Sequence, residues 1–342
     1  MKFTEAILWP ASLVYGAVAH LKARAYRTGL RKARRLNGIV VSVGNLTVGG
    51  TGKTPLVLWI AKKWLDEGKK VGILTRGYRG ETIAADSQNR AAVSSTSDEV
   101  RLLQERLGNR VLFGIGADRF EKGAKLVSQG IDHFILDDGF QHLRLARDVD
   151  VVLIDGLNPF GGGHVLPAGR LREPLSAFGR ADIVVINRST ASPAIETVVR
   201  RHSQAAVFYA QPRIESIRVV ENDRLSDRPF DLTGAKAFVF CGIGNPQGFL
   251  ATLRDTAAQV VGHKFLPDHH RYAERDAARI QTEAQAAGAS VLVCTEKDFY
   301  NLNGSFRGNL PVVCVTISLS IQREAEFWHQ INSLAKERNP SV

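Results

Sequence analysis

Residues 42–56, SVGNLTVGGTGKTPL, run from an apolar stretch through glycines to a Lys-Thr pair that opens an amphipathic segment. A phosphate cradle needs this order of strand, glycine loop and helix, with Gly49, Gly50, Thr51 and Gly52 preceding Lys53 and Thr54. Glycines let backbone N–H groups converge on phosphate oxygens, and the helix N-terminus adds partial positive charge. The common G-x-x-x-x-G-K-[ST] spacing requires glycine at position 47, where this chain carries Thr47. Val48, Gly49, Gly50, Thr51, Gly52, Lys53, Thr54 and Pro55 are the expected nucleotide-binding residues. Lys53 would bridge the terminal phosphates and Thr54 would place its hydroxyl on Mg2+.

Outward from this loop, strand-like and helix-like stretches alternate. GIVVSVGNL (38–46) reads as a buried strand and KTPLVLWIAKKWLDEG (53–68) as a helix closed by Gly68. Ser97 is a plausible N-cap for a helix over 97–108. IDHFILDDGFQH (131–142), VDVVLIDG (149–156) and RADIVVINRS (180–189) read as strands, the first two with acids at their C-terminal ends. The expectation is an α/β fold: a P-loop NTPase-like, mostly parallel sheet with helices on both faces, plus a second, smaller α/β domain. Function should then lie at the C-terminal strand ends. There Asp137 and Asp138 end a strand in a position suited to magnesium. The expected divisions are an N-terminal membrane-interface helix (1–36), a P-loop core (37–206), a connector hairpin (207–234), a second α/β domain (235–310) and a terminal strand and helix (311–342) returning to the core.

Hydrophobic content of 44% and charged content of 23% suit a folded soluble chain. Cys241, Cys294 and Cys314 lie far apart, which argues against a disulfide framework or a cysteine zinc site. The net charge of +11 is concentrated: residues 1–36 hold eight basic side chains against Glu5 alone. A local basic patch fits this better than a general nucleic-acid surface. Residues 6–21 are uncharged, fewer than the ~20 needed to span a bilayer. Trp9, Tyr15 and the cations that follow suit a helix lying in a membrane interface, while a first helix packed on its own domain is compatible along the same segment. Export is disfavoured, because Glu5 and Pro10 interrupt the apolar region and a dense basic block follows it.

INRST (186–190) has no Lys or Asp and TEKD (295–298) no Asn where a guanine-reading segment needs them, and Val48 replaces the extra lysine of partitioning ATPases. The ordered set GNLTVGGTGKTP, TRGYRG, SDE, LDDGFQH, GRLREP, CGIGNP, LPDHH and TEKD resembles the bacterial tetraacyldisaccharide 4'-kinase family from the N-terminal helix to about residue 300. That resemblance implies transfer of the γ-phosphate of ATP, with Mg2+, to the 4'-hydroxyl of a tetraacylated glucosamine disaccharide 1-phosphate. The setting it implies is the cytoplasmic face of the inner membrane, with the protein monotopic and no nucleic acid or obligate protein partner. The alternative class is a membrane-associated P-loop ATPase switch. By the same resemblance Asp98 is the base and His269 its orienting partner. Arg172 would neutralise charge on the γ-phosphoryl group, and Glu173 would join Thr54 and Asp138 at the metal. Gln141 and His142 are candidates for the acceptor. Arg76, Arg79 and Arg119 are candidates for its 1-phosphate or for nucleotide phosphates. GIGNP (242–246) reads equally as a nucleotide contact or as a strand-end turn. Asp98 and His269 are expected in different domains, so that closure over ATP would bring them together.

Overall fold

A computed structural model describes residues 3–77, 97–306 and 308–340, with the side chains of 3–7 left aside. The described chain divides into two compact units, the second made of Ser97–Leu102 and Pro212–Ser318 and the first of the remainder.

In the first unit β1 (Ile39–Asn45) is buried at every residue, so both of its faces are covered. It pairs in parallel with β4 (His133–Asp137) on one side and β5 (Val149–Asp155) on the other. Beyond β4 lie β2 (Val71–Thr75) and β3 (Val111–Ile115). Beyond β5 lie β6 (Ile183–Asn187) and the first residues of β7 (Ala206–Glu221). The strand order reverses at β1, and ligands of open parallel sheets bind at such a switch point. The glycine loop leaves the sheet there.

Alternation along the strands sorts the helices to the two faces. Val40, Phe134 and Leu136 point to one face, against Leu126 of α4 (Arg119–Val127). Val152, Val184 and Ile186 continue that face under Ile195 and Val199 of α5 (Pro193–Arg200). The opposite face carries α2 (Lys53–Asp66) and the C-terminal helix α9 (Glu324–Arg338). Fully buried Phe327 of α9 lies 5.4 Å from the ring of Trp59 on α2 and 5.2 Å from Phe208 on β7. The indole N–H of Trp328 donates to Glu67 at 2.6 Å. The helix that begins at the phosphate loop is thus braced by the far end of the chain.

The second unit repeats the logic on a smaller scale. β9 (Lys236–Cys241) lies between β10 (Gln259–Phe265) and β11 (Val291–Thr295), and β11 pairs with β12 (Val312–Ile321), all in parallel. Val239, Val293 and Val313 pack on Phe249 and Leu253 of α6 (Pro246–Leu253). The alternate residues Phe240, Leu292 and Cys314 pack on Ile280 and Ala284 of α7 (Glu274–Ala286). A single turn, α8 (Glu296–Phe299), follows β11 directly. The far end of β7 forms an antiparallel hairpin with β8 (Arg224–Pro229). One more helix, α3 (Asp98–Leu107), places its first turn in this unit and its last in the other.

The N-terminal helix α1 (Phe3–Arg27) belongs to the first unit and runs unbroken through Pro10, although proline removes one internal hydrogen bond. The apolar segment therefore lies within one continuous helix. Its buried positions are small: Ser12 and Gly16, flanked on the same stripe by half-buried Ala19 and Ala23. Ser12 Oγ accepts from the Ala168 N–H at 2.8 Å. A Cβ on Gly16 would meet Val165 and Pro174 at 3.7 and 3.8 Å. Leu13, Val14, Val18 and Leu21 are 55–65% exposed, and Trp9 and Tyr15 also face outward. A helix facing water on one side turns its bulky apolar residues inward; α1 does the reverse. Contiguous exposed apolar surface of that kind marks a membrane or partner contact. No described helix is long and apolar enough to cross a membrane.

Truncating the brace tests its weight. Phe327→Ala is expected to cost about 3–5 kcal/mol of stability in urea denaturation followed by tryptophan fluorescence.

Candidate active site

The glycine loop is held in a backbone form that other residues resist. Gly49 and Gly52 take φ of 116° and 93°. A Cβ at position 52 would lie 2.3 Å from Asn187 Nδ2, the atom that donates to the Thr51 carbonyl at 2.9 Å. Asn45 Nδ2 donates to the Thr47 carbonyl at 2.6 Å and fixes the other end of the loop. Thr54 is buried in the first turn of α2, and the hydroxyl of Thr51 is buried without a hydrogen-bond partner among the described residues. Such an orphaned group, beside a helix N-terminus and a lysine, suits an anionic oxygen.

Lys53 Nζ lies 3.2 Å from Asn45 Oδ1 and 3.5 Å from Asp138 Oδ1. Asp138 follows β4 with φ of 48° and accepts from Arg172 Nη1 at 2.8 Å on both of its oxygens. Gln141 Nε2 donates to the Asn45 carbonyl at 3.0 Å, and its Oε1 lies 3.4 Å from Arg172. The Arg172 N–H donates to the Leu46 carbonyl at 2.6 Å, and the Val48 N–H to the Arg170 carbonyl at 2.8 Å. The structure thus brings together Lys53, Asp138, Gln141 and Arg172. Asp137 is tied back to the Thr75 hydroxyl at 3.2 Å. Glu173 is buried and accepts from Arg180 at 2.9 Å, not from the Lys53–Asp138–Arg172 group.

Beside this group Arg119 Nη1 lies 3.2 Å from His142 Nδ1, and Lys22 of α1 donates to the Gln141 carbonyl at 3.2 Å. Burial, with Arg119, Arg147 and Lys22 nearby, pushes His142 down to about 4, so its imidazole is neutral at pH 7. Burial likewise lowers Arg119, with exposed Arg76 adding repulsion. The surroundings are strongly cationic and suited to an anion. Arg79 lies outside the described residues.

Asp98 and His269 meet within the second unit, not in separate domains as the sequence suggested. His269 Nδ1 lies 2.8 and 3.0 Å from the two oxygens of the buried Asp98 carboxylate. Asp98 opens α3, and the first turn of that helix groups with the second unit because its side chains bind there. Glu99 takes a salt bridge from Lys297, and Arg101 Nη1 donates to the Tyr300 carbonyl at 2.9 Å. The Asn301 amide reaches Asp98 at 3.5 Å. The hydrogen bond to Asp98 raises the pKa of His269 against the opposing effect of burial. Burial also opposes the charge on Lys297, but Glu99 and Asp98 outweigh it and raise that pKa. A carboxylate oriented by an imidazole is placed to accept a proton from an alcohol.

Sequence reasoning missed Asn45 and Asn187 as supports of the loop, and Lys297 and Asn301 as neighbours of the base. Asn187 stood out only as a remnant of a guanine motif. Lys297 and Asn301 lie about two hundred residues from their partners (198 and 203), and no local spacing signals such a pair.

The family model described as tetraacyldisaccharide-1-P 4'-kinase matches residues 4–336. The tetraacyldisaccharide 4'-kinase of Geobacter metallireducens is 38% identical, over 91% of this chain and 92% of its own. That of Pelobacter propionicus is also 38% identical, over 87% and 83%. A crystal structure of LpxK from Aquifex aeolicus in complex with ATP superposes with a TM-score of 0.73 at 27% identity, covering 97% of this chain and 99% of that one.

Two predictions follow from the geometry. Gly52→Ala is expected to weaken nucleotide binding at least tenfold, or about 1.4 kcal/mol, in calorimetric titration. The two histidines should shape stability in opposite senses. His269 has a raised folded pKa, so its contribution is full below the unfolded value of about 6.5 and is lost as pH rises through the folded one. His142 has a depressed folded pKa, so the native state loses stability as pH falls from about 6.5 toward about 4. In urea denaturation against pH, His142→Gln should flatten the acid limb and His269→Gln should lower stability most on the acid side.

Proposed function

This chain belongs to the tetraacyldisaccharide-1-P 4'-kinase family, and from that membership we propose how its residues divide the reaction. The protein transfers the γ-phosphate of ATP to the 4'-hydroxyl of a tetraacyl glucosamine disaccharide 1-phosphate, a step of lipid A synthesis. Val48 to Pro55 cradle the triphosphate, with the backbone of Gly49, Gly50 and Gly52 and the hydroxyl of Thr51 facing its oxygens. Lys53 and Arg172 carry the charge that grows on the γ-phosphoryl group. Asp98 takes the proton as the sugar oxygen bonds to phosphorus and the β,γ-bridging P–O bond breaks, releasing ADP. His269 orients the carboxylate for that transfer. Gln141 and His142 contact the acceptor sugar, while Arg119 and Arg76 meet its 1-phosphate. The observation that carries this reading is the Lys53–Asp138–Arg172 group set directly after a glycine loop.

Magnesium fits the donors present. Thr54, Asp138 and Glu173 offer hard oxygens, and this ion completes its shell with phosphate and water instead of an all-protein cage. When bound, the ion neutralises the β- and γ-phosphate oxygens.

We place the protein on the cytoplasmic face of the inner membrane. The bulky outer side of α1 lies in the interface, with Arg24 and Arg27 on anionic headgroups at ~1 kcal/mol each. The outward-facing Leu13, Val14, Val18 and Leu21 support this.

The decisive assay supplies γ-labelled ATP and the lipid disaccharide 1-phosphate in detergent and follows a doubly phosphorylated lipid. Asp98→Ala should lower kcat by about 10²–10⁴ and Lys53→Ala should abolish transfer. Hydrolysis without transfer by the intact, ATP-binding protein would point to the ATPase switch instead. For the membrane contact, Leu13→Asp with Val18→Asp should release the protein from vesicles containing anionic lipid, read by flotation.

A further inference from the structure

Two motifs of the second unit, CGIGNP and TEKD, and Tyr272 just beyond LPDHH converge on one buried carboxylate to which the reaction gives no role. Asp298 is 1% exposed. Its Oδ1 accepts from the Gly242 N–H at 2.7 Å and the Tyr272 hydroxyl at 2.8 Å. Its Oδ2 accepts from the Thr295 hydroxyl at 2.6 Å and the Thr295 N–H at 3.2 Å. Four donors on one carboxylate make a rigid hub, and charge-assisted bonds of this kind are about twice as strong as neutral ones.

The hub leads directly to His269. The Gly242 carbonyl, on the residue whose N–H Asp298 holds, accepts from the His269 N–H at 3.0 Å. On the other side of the hub, the Asn301 N–H donates to the Asp298 carbonyl at 2.8 Å, and the Asn301 carbonyl accepts from the Tyr272 N–H at 3.0 Å. Asn301 in turn reaches Asp98, while Lys297, next to Asp298, holds Glu99. His269 takes φ of 60°, a left-handed form that a non-glycine residue keeps only where its surroundings impose it.

We propose that Asp298 is a positioning residue for phosphoryl transfer, fixing both the imidazole of His269 and the segment that frames Asp98. This deepens the reading of Asp98 and His269 as the proton-accepting pair and rests on it. Asp298 acts through backbone and neighbours and touches no substrate. An asparagine in its place presents one oxygen, so either the Gly242 or the Thr295 N–H faces an amide donor. Hydroxyls can rotate to compensate; backbone N–H groups cannot.

Gly242 gives an independent way to disturb the same relay. Its φ lies outside the left-handed range, so alanine fits the backbone. The added Cβ, however, would lie 2.8 Å from the Pro267 carbonyl and 2.9 Å from His270 Cβ, pushing the turn that carries His269.

The test uses the full chain carrying ¹⁵N-histidine, with the His269 ring signals assigned through His269→Gln. Asp298→Asn and Gly242→Ala are each expected to lower kcat at least tenfold. Each should also move the His269 titration from its raised position toward the ordinary histidine value, as the bond to Asp98 slackens. Asp98, Glu99, Asp268 and Lys297 are the charged groups around that ring, and all four remain in both variants. Folded variants whose His269 titration and kcat match the parent would overturn the proposal and leave Asp298 a purely structural residue. Should the asparagine variant fail to fold, Gly242→Ala decides alone. Asp98→Ala serves as the separate control: if it keeps full transfer, the base assignment fails, whereas its loss of activity beside an unaffected Asp298→Asn defeats only the hub.

Discussion

Two cations from distant parts of the chain share one carboxylate. Lys53 begins α2 and Arg172 follows a long loop after β5, yet both reach Asp138 at the end of β4. Without that carboxylate their mutual repulsion would drive two flexible side chains apart. With it, they stand side by side next to the glycine loop. The surrounding bonds serve this arrangement: Leu46 and Val48 stitch the glycine loop to residues 170–172, and Gln141 ties Arg172 to Asn45. Asp138 pays for it with a left-handed backbone, a conformation that short polar side chains tolerate better than most.

How much of this could be read in the sequence depends on how far apart the partners lie. The glycine loop, its strand and its helix are contiguous, and their chemistry is local, so residues 38–68 disclosed the fold class and pointed to a phosphate. The parallel sheet followed from apolar runs buried on both sides. Asp138 was recognisable because a strand end is a local position. Asp98 and His269 stand 171 residues apart, and only resemblance to a family joined them. The division into domains misled for a related reason: α3 looks like one more helix of the core, but the partners of its first turn come from residues 269–301. Asn187, Lys297 and Asn301 act through geometry that no spacing announces. Glu173, offered to a metal only by resemblance, also pairs with Arg180, a partner that no spacing announces.

The two halves of the chemistry use different physics. Around Lys53 the charge is concentrated and partly open, which suits a polyanion. Around Asp98 a carboxylate, an imidazole and a lysine are balanced in a more buried setting, and the hydrogen bonds that hold them come mostly from backbone and from short side chains. Such support loses little entropy on ordering, which keeps the Asp98 carboxylate in register with few moving parts.

The seat of α1 has a mechanical corollary. Its small residues rest on the loop at 165–174, where Ser12 holds Ala168 four residues before Arg172, and Lys22 holds the backbone of Gln141, whose amide group steadies the same arginine. The helix whose outer side is apolar and exposed therefore grips, on its other side, the loops that place Arg172. A tilt of α1 would therefore shift the backbone near Arg172 through these hydrogen bonds.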